Sequence, residues 1–147
     1  MVVMRFYAQI FCVALLPLAV RADPGSPTER ELHVAACVAA LETNSDALAK
    51  QVKAGRADLR PLLQERLQDG VAFIGTAYLR GERDKVRAQA LLTDAREAQK
   101  GLPAGELSAR QDACAAEGMK LLSGANVIER LVVWRLTGNQ MKKLLGE

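Results

Sequence analysis

Histidine is nearly missing from this chain. A single one, His33, occurs in 147 residues, beside three cysteines and only 4% aromatic side chains. A di-iron site in a helical bundle takes a Glu-x-x-His pair from each of two helices, so one histidine excludes it. Structural zinc takes four Cys or His ligands. Cys12 falls in a leader segment described below, and His33, Cys37 and Cys114 are then one ligand short, so no metal and no cofactor are expected. No C-x-x-C-H occurs to bind haem covalently. Nor is there a P-loop, a dinucleotide-binding glycine pattern, a G-x-S-x-G or a kinase signature. No run reaches the eighteen apolar residues that would suggest a polytopic membrane protein. Aromatic and β-branched residues are few while Ala, Leu, Arg, Glu and Gln abound, which disfavours an all-β fold.

What is present begins with an address. Arg5 followed by an apolar run from Phe6 to Val20, broken only by Gln9, reads as a secretory signal. Pro17 ends the run before Val20-Arg21-Ala22, whose small first and third residues suit cleavage after Ala22. The run is about 15 residues, short of the ~20 that span a bilayer. The expected organisation is therefore a signal peptide over 1–22 and one domain over 23–147. Losing Arg5 and Arg21 leaves eighteen basic residues against seventeen acidic ones, a net charge near +1. That balance does not support a nucleic-acid binder. Cys12 departs with the signal, and Cys37 and Cys114 remain as an even pair in an oxidising compartment, which points to a disulfide. The expected address is periplasmic or secreted.

The mature chain reads as four or five amphipathic helices with short connections, an antiparallel all-α bundle. Ser26, Pro27 and Glu29 look like the start of the first helix, with Ser26 as cap. It carries Val34, Cys37, Leu41, Ser45, Leu48 and Val52 on one face and stops at Gly55. The polar Asn44-Ser45-Asp46 could kink it. The second runs from about Asp58 to Arg80 with Pro61 in its first turn and a stripe of Leu63, Leu67, Gly70, Ile74, Ala77 and Gly81, widened by Leu59, Phe73 and Tyr78. After a charged turn at 80–84, the third spans Glu82 to Lys100, antiparallel to the second, with Leu91, Leu92, Ala95 and Ala98 inward. Leu102-Pro103-Ala104-Gly105 reads as a loop, and Ser108 as the cap of a fourth helix bearing Cys114, Gly118, Leu121 and Ala125 on one face. Asn126 and Glu129 read as a capping box for a fifth, with Val127, Leu131, Trp134, Gly138, Met141 and Leu145 in line.

Chemistry is sparse. His33 and Cys37, at i and i+4, could form an activated thiol, but a disulfide at Cys37 would take that thiol away. Pairs such as Asp94 with Glu97, or Asp112 with Glu117, lie among Arg and Lys and read as solvated. No enzyme is expected, and no catalytic residue is named. Two surfaces could carry recognition. One is the corner of Arg80, Arg83, Lys85 and Arg87. The other is the last helix, where Trp134 sits with Arg130, Arg135, Lys142 and Lys143. In outline such a chain is similar to small periplasmic inhibitors and immunity proteins, a likeness of architecture and address that no motif carries. The expectation is a helical protein acting by contact with another exported protein, as inhibitor, protective factor or scaffold. The alternatives are a carrier of haem or another small ligand, with His33 and Met119 or Met141 as axial groups, a protein lying on a membrane surface, or a homodimer.

Overall fold

The computed structural model describes residues 25–82 and 84–147, so the expected signal segment over 1–22, with Cys12, and Arg83 lie outside the described residues. These residues form five helices and no strand: α1 (Glu29–Lys53), α2 (Arg60–Leu79), α3 (Lys85–Lys100), α4 (Ala104–Ser123) and α5 (Val127–Leu145). A 3-10 turn at Ala57–Leu59 leads into α2. The all-helical bundle expected from periodicity is thus the fold. None of the described helices is long and apolar enough to cross a membrane.

Local chemistry sets the ends. The α1 cap is Thr28, two residues later than Ser26. Thr28 Oγ1 accepts from the Glu31 amide at 3.1 Å, and the Glu31 carboxylate accepts from the Thr28 amide at 2.7 Å. The reciprocal box sets the cap at Thr28, and Arg87 also reaches Glu31 from the first turn of α3 with Nε and Nη2 at 2.8 and 3.0 Å. The same guanidinium donates to the carbonyls of Gly25 and Ser26. At the other end of α1, Gly55 takes φ +104, a left-handed conformation in which a side chain would be strained. The Asn126–Glu129 capping box forms as the sequence indicates. Ser108 does not cap, because α4 starts at Ala104 directly after Pro103, and residues 104 and 105 are helical rather than loop. Proline fixes its own φ and needs no amide there, so the helix nucleates a turn early. The third helix starts at Lys85, capped by Asp84.

Helix α1 is the spine and runs unbroken through Asn44-Ser45-Asp46, burying Ser45. It packs against α2, α3 and α4, and more lightly against α5. Gly70 lies against Leu41, and Leu48 shares a cluster with Leu63, so α2 runs antiparallel to α1. Cys37 with Cys114, and Asn44 with Gln111, set α4 antiparallel as well. Arg87 with Glu31 and Arg96 with Glu42 set α3 parallel to α1, hence antiparallel to α2 as expected. Yet α3 leans on α1 rather than on α2. Only Gln99 of α3 is buried, its Leu91, Leu92 and Ala95 are half-covered, and Ala98 is exposed. Two bidentate Arg–Glu forks add to the packing of Leu92 against the core in holding α3 to α1.

The core has two parts. One joins Cys37, Val38, Leu41, Phe73, Cys114 and Ala115, and the other Leu48, Ala49, Leu63 and Met141. Two stripes sit differently from their expected facing. On α2 the buried set is Leu63, Asp69, Val71, Ala72 and Phe73, while Ile74 and Tyr78 are half exposed. The reason is Gly118. A Cβ there would stand 2.7 Å from Asp69 Cβ and carbonyl oxygen, so α4 meets the backbone of α2 at Asp69 and rotates that residue inward. On α5 the buried set is Val133, Thr137 and Met141, and Val127, Leu131 and Trp134 face out. Thr137 can be buried because its hydroxyl donates to the Val133 carbonyl at 2.8 Å. Val133 in turn packs over Gly75 of α2, where even an added Cβ would lie in ordinary contact, 3.8 Å from Val133 Cγ2.

Candidate functional site

The outward turn of α5 produces the most unusual surface of the molecule. Within residues 127–136, Val127, Ile128, Leu131 and Trp134 are 82%, 74%, 62% and 64% exposed, with Val132 and Leu136 also open. Helix α2 runs antiparallel alongside: Arg60 at its start bonds Glu147, and Gly75 faces Val133. Its last turns therefore lie beside the first turns of α5. They add Ile74, Tyr78 and Leu79, each at least half exposed. Scattered exposed leucines are ordinary, but this many large apolar side chains left open on one helix and its neighbour is not. Arg130 and Arg135 stand exposed within it, against the single acid Glu129.

The expected partner-surface residues are thus divided. Trp134 belongs to this face and sits at the edge of an open cleft of about 440 Å³ with Arg60, Gln64, Arg135 and Lys142. Arg80 and Lys85 are exposed, whereas Arg87 is committed to Glu31 and the carbonyls of 25 and 26. Sequence periodicity missed Ile128, Val132 and Leu136. The signal was present as the run Val-Ile-Glu-Arg-Leu-Val-Val-Trp-Arg-Leu, apolar on too many sides for one face to bury.

A second cluster surrounds the cross-link. Cys37 and Cys114 are joined, with Cα atoms 5.3 Å apart, and both are buried. One turn before Cys37, His33 Nε2 lies 3.8 Å from Cys37 Sγ and donates to Glu117 Oε2 at 2.7 Å, across from α1 to α4. Phe73 presents its ring edgewise to the imidazole, 6.4 Å away. His33 and Glu117 are about half exposed and so form the solvent side of a cluster whose sulfurs are covered. Glu117, which reads as a solvated acid in the sequence, is a partner of His33 because the disulfide sets the register of the two helices. His33 lies half exposed beside Phe73 of the first core cluster, whereas the haem candidate Met141 is buried in the second, and Met119 is half exposed.

Asp69 is 1% exposed, and burial raises its carboxyl pKa from the ordinary 3.8 to about 6, against the opposing pull of Arg66, 3.4 Å away. A raised folded pKa means that the native state holds a proton the unfolded chain has lost. Stability should then fall as pH rises from about 4 to above 6, on the order of 3 kcal/mol. Asp69→Asn should remove that slope in urea melts taken from pH 4 to 8, and should be the more stable form at pH 7. Glu31 has the opposite sign. Arg87, then the Thr28 amide, hold its pKa at about 2, so its contribution is lost as pH falls from 4.5 towards 2. Maximum stability is expected between these two flanks.

No family model, curated protein or solved structure matches this chain.

Proposed function

We infer that this is an exported small helical protein that acts by protein–protein contact, as an inhibitor, protective factor or scaffold for another exported protein. The observation that carries this reading is the apolar face of residues 127–136 with Ile74, Tyr78 and Leu79. It has the character of a contact surface, and the cationic pair Arg130 and Arg135 favours a partner whose apolar patch is bordered by acidic side chains. The disulfide fits an oxidising compartment, and the leader over 1–22 supplies the route to it. Both bear on the periplasmic or secreted address.

The test is a photo-crosslinking residue placed at Leu131 in the full chain, expressed with its own leader, and at Asp94 on the exposed side of α3 as control. A discrete adduct with one heterologous exported protein from position 131, absent from 94 and lost when Val127→Asp is added, is the expected result. Val127 is 82% exposed, so the aspartate should leave the fold intact. Adducts only between copies of the chain, or flotation with anionic lipid vesicles and no protein adduct, would replace this reading with self-association or membrane attachment.

A further inference from the structure

We propose that the reduced form of this protein binds one zinc ion between α1 and α4, with Cys37, Cys114, His33 and Glu117 as its four ligands. The donors come from two helices in two short spacings, His33 and Cys37 at i and i+4 on α1, Cys114 and Glu117 at i and i+3 on α4. Each spacing places both side chains over one turn of one face. The ligand atoms of His33, Cys37 and Glu117 lie within 4.8 Å of one another, and Cys114 Sγ is covalently attached to that group. Tetrahedral zinc with bonds of about 2.3 Å to sulfur and 2.0 Å to nitrogen or oxygen needs N···S near 3.5 Å, N···O near 3.3 Å and S···S near 3.8 Å. The His33 Nε2 to Cys37 Sγ distance is already 3.8 Å, and the imidazole–carboxylate distance of 2.7 Å has to open by about 0.6 Å. The sulfurs must part, which side-chain rotation on two packed helices can supply.

The chemistry balances through a dithiol reductant. It transfers two electrons and two protons, breaking the Cys37–Cys114 bond to give two thiols, and closes to its own disulfide. Zinc then displaces one proton from each thiol to solvent. His33 binds through Nε2 as the tautomer protonated on Nδ1, its Nε2 proton passing to solvent as Nδ1 takes one up, and Glu117 exchanges its hydrogen bond for a metal bond. The half-exposed His33 and Glu117 form the entry side, while Val38, Leu41, Phe73 and Ala115 keep water from the sulfurs. The consequence is a fold clamped at the same place in either redox state, by a disulfide when oxidised and by a metal when reduced. This inference does not depend on the contact face of α5.

The experiment uses the full chain carrying Cys12→Ser, so that two thiols remain, reduced with a phosphine and titrated with Zn2+ against a chromophoric chelator, then with Co2+. One equivalent should bind to the reduced protein and none to the oxidised one. The Co2+ form should show the intense visible bands of a tetrahedral site with thiolate-to-metal charge transfer, and Zn2+ should raise the melting temperature of the reduced protein. His33→Ala and Glu117→Gln should each weaken zinc binding by roughly tenfold or more, while Glu106→Gln, exposed on the same helix, should not. No stoichiometric binding would overturn the proposal. So would binding indifferent to His33→Ala and Glu117→Gln, or binding that leaves the reduced chain's melting unchanged, since two thiols of an unfolded chain would behave that way.

Discussion

Replacing both Cys37 and Cys114 by alanine should lower the unfolding free energy by about 4 kcal/mol, most of what holds a domain of this size together. The two residues are 77 apart, so the cross-link forbids the unfolded chain a large share of its conformations. The same change leaves small voids among Val38, Leu41, Phe73 and Ala115, which adds to the loss rather than offsetting it. Guanidinium unfolding followed by circular dichroism checks this. The midpoint should drop sharply, and the slope should steepen because the unfolded chain without its cross-link exposes more surface. A midpoint shift worth less than about 1 kcal/mol would mean that the packing of α1 on α4 already carries the fold.

Gly118→Ala should destabilise the protein by about 3 kcal/mol or more, although alanine is the better helix former by about 1 kcal/mol. The added methyl would meet Asp69 Cβ, carbonyl oxygen and Cα at 2.7 to 2.8 Å. Two of those atoms are backbone, so nothing can swing away, and α2 and α4 must move apart. The disulfide 4 residues earlier in α4 and the cover of Phe73 resist that movement. Gly138→Ala is the matched control, because a Cβ there meets nothing within 4 Å. On α5 the ordinary helix preference should win, with a gain of roughly 0.5–1 kcal/mol. Thermal melts of the two variants side by side should move in opposite directions.

The two substitutions show how differently one residue type reads in sequence and in space. Gly118 and Gly138 each occupy an apolar stripe, and periodicity places both inward. Only the crossing of α4 over Asp69 makes one essential and the other dispensable. Asp69 itself has no sequence signal of burial. It is drawn inside because the helices approach most closely at its backbone, and the carboxyl follows.

Short-range physics was decided by the chain alone. The all-helical class follows from composition and from spacings of three and four. The Asn126–Glu129 box and the stop at Gly55 follow from capping groups that act within a turn. The pairing of Cys37 with Cys114 follows from parity once Cys12 is assigned to the leader. Tertiary structure decided whatever depends on which face of a helix wins a competition. Helix α5 has apolar residues on most sides of its first three turns, and Val133 over Gly75, with Thr137 satisfied by its own helix, outcompetes the stripe containing Trp134. That choice leaves Val127, Ile128, Leu131 and Trp134 in solvent. In the same way Glu117 meets His33 only because the cross-link fixes the register of α1 against α4, 84 residues apart in sequence. Local preferences fix where helices begin and end, whereas their rotation and register are settled by contacts between distant segments.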